Sequence, residues 1–266
     1  MSFWRGSNCT LFFTDQGAGI PVVFIHGWMC DSHDWSWQLA AFAGAYRTIA
    51  VDSPGHGRSS PSTRGYHPDA IGSDIRELLV HLGVSRFVAV GHSLGAVIAV
   101  RLADRHPSDV IAVVTVDPAY GVTPSEAQTV NILRSTLRAS RSVTSVAGFF
   151  DKLEGPHTSD GLRTWHCRRA LGVDIEVAIA SIAAIFEATD QISLATQSET
   201  FLRRLQCPLL AVHRDPVRGV WEEMTFHHPL SKSVVFRDVG HWIHQEVIAD
   251  FNQVTLTWME EIIERD

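Results

Sequence analysis

Arg86-Phe87-Val88-Ala89-Val90-Gly91-His92-Ser93-Leu94-Gly95-Ala96-Val97-Ile98-Ala99-Val100 is the stretch on which the fold turns. Residues 86–90 form an apolar, Val-rich run without polar alternation, as a parallel strand buried on both faces requires. Residues 96–105 follow at once and are apolar almost all round until Arg101, which predicts a buried helix. Between them, Gly91-His92-Ser93-Leu94-Gly95 matches G-x-S-x-G. The pentapeptide alone is a weak signal. Set between a strand and a helix it becomes strong, because the glycines permit a tight turn that pushes a serine hydroxyl out of the sheet edge. The helix N-terminus behind that serine favours developing negative charge.

The same alternation extends outward. Thr10–Thr14, Pro21–Ile25, Tyr46–Val51 and Val110–Val116 read as further strands, and residues 69–82 as a helix stopped by Gly83. Repeated β-then-α units predict an α/β protein with a mostly parallel sheet flanked by helices. Right-handed crossovers gather the strand C-termini on one edge, where ligands bind in open α/β sheets. From Gly121 to about Leu205 the strand signal disappears; residues 171–189 are apolar and helical in character, and residues 134–141 basic and polar. Strands resume at Pro208–Val212 and Ser233–Phe236, and a final amphipathic helix carries Val247, Phe251, Val254, Trp258 and Ile262. The expected organisation is a core domain formed by residues 1–120 and 206–266, interrupted by a helical cap insertion at 121–205.

Composition sets outer bounds. A chain of 266 residues with 45% hydrophobic and 19% charged residues can bury a full core without staples. A net charge of −7 argues against a nucleic-acid or anionic-membrane footprint. Cys9, Cys30, Cys167 and Cys207 form no CxxC pair, so reduced thiols are expected rather than a disulfide framework or zinc site. No leader pattern or membrane-length apolar run appears, and a cytoplasmic location is the expectation. A small-molecule substrate is the expected partner, with no metal and no organic cofactor implied.

A serine hydroxyl is a poor nucleophile without a base in reach. His241, in Val239-Gly240-His241-Trp242, follows the last predicted strand and so falls on the same edge as Ser93. His244, one helical turn on, is the alternative base. The base needs a carboxylate to fix its tautomer. Asp215, after the strand ending at Val212, is the leading choice, giving the chain order Ser93, Asp215, His241. Asp117 ends the strand Val110–Val116 on the same edge and competes with it. For an oxyanion, the backbone N–H of Leu94 supplies one donor, and that of Trp28, in His26-Gly27-Trp28, the other.

Taken together, His26-Gly27-Trp28, the loop Asp52-Ser53-Pro54-Gly55-His56-Gly57-Arg58-Ser59, Gly91–Gly95 and Gly240-His241 resemble the α/β-hydrolase superfamily. The resemblance spans the chain and implies a Ser93–His241–acid triad, an oxyanion hole, a cap where the insertion lies, and a bracing role for residues 52–59. Ala96 replaces a glycine often found after the elbow, and the loop before Asp215 is shorter than usual, which keeps Asp117 in play as the acid. Serine at the elbow disfavours relatives of this scaffold that use aspartate there.

Trp28, Met29, His92, Trp165 and Trp242 are the expected substrate-binding residues, with Phe149, Phe150 and Phe186 in the cap as further aromatic candidates. An apolar pocket suits a small to medium hydrophobic ester or lactone. Two other readings share the scaffold. One is a C–C bond hydrolase or cofactor-independent dioxygenase; the other is a receptor-like binding protein with slow turnover.

Overall fold

The computed structural model describes residues 1–265. Eight strands are present: β1 (Ser2–Arg5), β2 (Thr10–Gln16), β3 (Pro21–Ile25), β4 (Arg47–Val51), β5 (Phe87–His92), β6 (Val110–Val116), β7 (Leu209–His213) and β8 (Lys232–Val235). They form one sheet in the order β1-β2-β4-β3-β5-β6-β7-β8. From β4 to β8 every pairing is parallel, and β1 and β2 run antiparallel at one edge. This is the predicted mostly parallel sheet. Strand β1 was not expected from the sequence: it is four residues long, largely exposed, and exists by pairing with β2.

The helices are α1 (Ser36–Phe42), α2 (Pro68–His81), α3 (Leu94–Arg105), α4 (Pro124–Ser140), α5 (Thr144–Phe150), α6 (Asp160–Leu171), α7 (Ile175–Phe186), α8 (Ala195–Leu202), α9 (Pro216–Glu223), α10 (Ile243–Glu246) and α11 (Ile248–Ile263). Because strand side chains alternate between faces, β3 sends Val23 and Ile25 into one core and Val22 and Phe24 into another. The first core is closed by α2 and α3, through Ile71, Ile75, Leu78, Ile98 and Leu102. The second is closed by α1 and α11, through Phe42, Phe251, Trp258 and Ile262. Helices α4 to α8 fill the interval between β6 and β7 and contribute Leu137, Phe150, Val177 and Ile185 to the first core.

The sheet order locates the site. After β3 the chain continues to β4 on one side, and then crosses to β5 on the other. The loops after β3 and β5 therefore diverge around a crevice, the switch point at which open α/β sheets bind ligands. Gly27-Trp28 follows β3 and Ser93 follows β5.

Candidate active site

The turn at Ser93 is as tight as its glycines predict. Ser93 has φ 54° and ψ −112°, a region that L-residues avoid, and it serves as N-cap of α3. A Cβ on Gly91 would lie 2.2 Å from the Gly95 carbonyl oxygen, and one on Gly95 would lie 2.1 Å from that of Ile25. Neither position has room for a side chain. The backbone fixes Ser93 from both sides: its N–H donates to Val116 O at 3.0 Å, and its carbonyl accepts from Ala119 N at 3.1 Å. Met29 (φ 60°) and Asp117 (φ 38°) also sit in the left-handed region on this edge. Such residues cost about 1–3 kcal/mol each and persist only where surrounding contacts over-determine them.

Gly27 packs against the turn. A Cβ there would lie 2.9 Å from His92 Nδ1 and 3.2 Å from Ser93 Cβ. Gly27 and Ser93, the two partners of that close approach, are followed by Trp28 and Leu94. Both residues are buried, and neither N–H donates to another group among the described residues. Buried N–H groups without partners are rare. A developing oxyanion is a natural acceptor for this pair.

The loop from Asp52 to Ser59 braces that flank, as the resemblance implies. His26 Nε2 accepts from Ser53 N at 2.8 Å, while His26 Nδ1 donates to Gly27 O at 2.7 Å. The buried Asp52 carboxylate receives Ser32 N and Arg58 N, both at 2.8 Å, and ion-pairs with the Arg58 guanidinium at 2.9 Å.

His241 follows β8 and donates from Nδ1 to Asp117 Oδ2 at 2.6 Å. That bond corrects the sequence expectation, in which Asp215 was the leading partner. Asp215 is exposed and caps α9, accepting from Val217 N at 2.8 Å. The reason lies in local chemistry: Asp-Pro at a helix start supplies a capping carboxylate and a proline preset for the first turn. Asp117 leaves β6, the neighbour of β5, and its N–H is tied to Val212 O at 2.8 Å. His244 is not near the acid. It is fully buried, stacked on Trp35 at 4.2 Å between ring centroids.

The electrostatics leave His241 neutral. Burial pushes its pKa below the ordinary histidine value; the bond and charge of Asp117 oppose this, and Arg214 and Arg218 push it lower again. Burial pulls Asp117 upward, but His241 and the two arginines outweigh it and hold the carboxyl well below its usual range. With Nδ1 protonated and engaged by Asp117, Nε2 carries the lone pair, the tautomer a general base requires. The helical insertion anchors the same loop, since His241 N and Arg214 Nη1 both donate to Leu153 O, at 2.8 and 3.2 Å.

Ser93, Asp117 and His241 all line one cavity of about 270 Å³. Of the expected substrate-binding residues Trp28 lines it, and so do the cap candidates Phe149 and Phe186. Met29 is fully buried, His92 lies behind the turn with Nε2 donating to His241 O at 3.0 Å, and Trp242 is stacked on His166 at 3.9 Å. Trp165 packs against His33 and Trp37 and borders a different groove. These side chains were expected on the site because they lie near it in sequence, but they face the core or the far side of their elements. The remaining apolar wall is built mainly by the insertion: Val130, Phe149, Ile182, Ile185 and Phe186. Lys152, Arg214 and Arg218 line it too, and no sequence pattern had singled them out as site residues.

Ser93 after β5 and the His241–Asp117 pair after β8 and β6 thus meet at one cavity at the sheet edge. In comparison with known proteins, residues 20–142 match the family model for the alpha/beta hydrolase fold. The chain is 39% identical over 114 residues to a non-heme haloperoxidase from Rhodococcus erythropolis. The matched region is 42% of each, so the chain spans about two fifths of that relative's length. The enol-lactonase from Burkholderia xenovorans LB400 superposes with a TM-score of 0.83 at 17% identity, covering 97% of this chain and 100% of that one. A thermophilic esterase from Thermogutta terrifontis superposes with a TM-score of 0.81 at 22% identity, covering 96% and 94%. Residues 20–142 thus carry the alpha/beta hydrolase match, and the chain as a whole has the fold of these hydrolase structures.

Proposed function

We propose that this protein is a serine hydrolase that cleaves a small carboxylic ester or lactone through an acyl-enzyme on Ser93. The observation that carries the proposal is the 2.6 Å bond from His241 Nδ1 to Asp117, with His241 and Ser93 facing one cavity. In this reading His241 Nε2 takes the Ser93 proton as Oγ attacks the carbonyl carbon. The N–H groups of Trp28 and Leu94 receive the oxyanion, each donor worth about 3 kcal/mol of transition-state stabilisation. His241 returns the proton to the leaving alkoxide, then activates the water that releases the acid. Helices α4, α5 and α7 act as the cap, since they supply most of the apolar wall.

The esterase and enol-lactonase folds support this reading. Labelling with a fluorophosphonate tests it: Ser93 is the expected site, and turnover of simple aryl esters is expected to vanish in Ser93→Ala. Modification of some other residue, with turnover surviving that substitution, would rule the mechanism out. Similarity to a bifunctional esterase/perhydrolase from Acinetobacter calcoaceticus, 36% identical over 105 residues, favours a second use of the same intermediate, in which hydrogen peroxide replaces water and releases a peracid and free Ser93. Peracid formation in peroxide-containing buffer distinguishes the two outcomes.

A further inference from the structure

We infer that the substrate carries a carboxylate in addition to the bond that is cleaved, and that Lys152 and Arg214 receive it. The inference rests on the serine-hydrolase reading of the site and narrows its substrate class from a simple hydrophobic ester to an amphiphilic anion.

The charges of the cavity wall carry the argument. Its lining contains three cations, Lys152, Arg214 and Arg218, against two carboxylates, Asp117 and Glu126. With His241 neutral, the wall has one net positive charge in a protein whose formal charge is −7. Both carboxylates are already engaged. Asp117 holds His241, and Glu126 Oε2 accepts from Thr123 N at 2.8 Å to close the capping box of α4. Arg218 is largely spent on structure, donating to the carbonyls of Pro118 and Tyr120, with Glu126 3.9 Å away. Arg214 uses Nε on Asp117 and Nη1 on Leu153 O, and keeps 30% of its side chain exposed. Lys152 has no ion pair among the described residues.

Lys152 adjoins Leu153, whose carbonyl receives the Arg214 guanidinium. Both cations line a cavity whose apolar walls are Trp28, Val130, Phe149, Ile182, Ile185 and Phe186. An apolar pocket with convergent polar groups at one end selects a ligand that is apolar along its body and charged at its tip. One net positive charge matches a monoanion, the charge that a carboxylate carries. Low-dielectric walls strengthen such a pair relative to one in open water.

The experiment compares charged and neutral esters on one preparation. Two aryl esters are used, one with a carboxylate on the acyl half and one with it on the alcohol half. Each is paired with an isostere bearing a carboxamide instead. The wild type is expected to prefer at least one charged ester over its isostere by about tenfold in kcat/KM, a preference that shrinks with added salt. Lys152→Glu is expected to erase that preference and Lys152→Arg to keep it. Because the readout is a ratio on the same sample, partial loss of folded protein cancels. Hexanoate, but not hexanol, is expected to protect Ser93 from fluorophosphonate labelling. Hydrolysis of the neutral esters through Ser93 without any charge preference would overturn the inference and leave the hydrolase reading standing. No turnover of any ester and no labelling of Ser93 would remove both.

Discussion

Arg214 Nε lies 3.0 Å from Asp117 Oδ2, the oxygen that also receives the His241 Nδ1–H at 2.6 Å. A cation thus sits on the carboxylate that orients the base. It damps the upward pull of Asp117 on the imidazole, so proton affinity at His241 is set by three groups rather than two.

Replacing Arg214 with Gln is expected to raise the pKa of His241, because one of the cations that lowers it is gone. The acid limb of the kcat/KM profile then moves to higher pH. A profile measured from pH 4 to 9 checks this, and an unmoved or downward-shifted limb would contradict the arrangement.

Asp117→Asn is expected to lower kcat by about three to four orders of magnitude, as loss of the tautomer-fixing acid does elsewhere. Asp215→Ala is expected to cost only the α9 cap, about 1 kcal/mol of stability, with kcat within a factor of about two. Parallel kinetics and urea unfolding of the two variants separate the roles.

Acid is expected to unfold the protein progressively. Burial lowers the pKa of His26, His56, His92 and His244, to about 4 for His56. A folded pKa below the unfolded one means that the unfolded chain binds the extra proton. The stabilisation is therefore complete above about pH 6.5 and is lost as pH falls. His56 alone contributes about 3 kcal/mol to this loss by pH 4. Urea unfolding free energies that stay constant between pH 7.5 and 5 would be incompatible with these buried rings.

Gly95→Ala is expected to destabilise the fold by about 3 kcal/mol, since the new methyl would meet the Ile25 carbonyl oxygen at 2.1 Å, in backbone that cannot swing away. Gly161→Ala is the contrast. Within α6, its nearest neighbour would be Ser159 Oγ at 3.8 Å, and a gain of about 0.5–1 kcal/mol is expected from helix propensity. Thermal melts of the pair test both signs.

The strands around Ser93 were legible because parallel strands buried on both faces read as unbroken apolar runs, and β3, β5 and β6 do. Ser93 and His241 were legible because each follows a strand at the edge where ligands gather. The acid was harder, since Asp117 and Asp215 both follow strands on that edge. The Pro after Asp215 was the available clue, for Asp-Pro announces a helix cap. The pocket wall was legible only in part, in Trp28 and the cap aromatics Phe149 and Phe186. Which face of α5 or α7 looks toward Ser93 depends on how the insertion packs, and Met29, Trp165 and Trp242 show that a large side chain near a motif is more often filling the core. Lys152 and Arg214 gave no sign in sequence because they line one cavity only once Arg214 reaches Leu153 O and Asp117, far from it in the chain.

Ser93 is bonded through its own backbone to Val116 and Ala119, the residues on either side of the Asp117-Pro118 pair. Ser93 and Asp117 therefore belong to one mechanical block, and the insertion, which supplies Phe149, Ile182 and Phe186, belongs to the rim. Inheritance can act on the two separately. Drift in the rim would change which molecules are admitted while the block goes on performing the same reaction, so descendants of this chain should diverge in diet sooner than in chemistry.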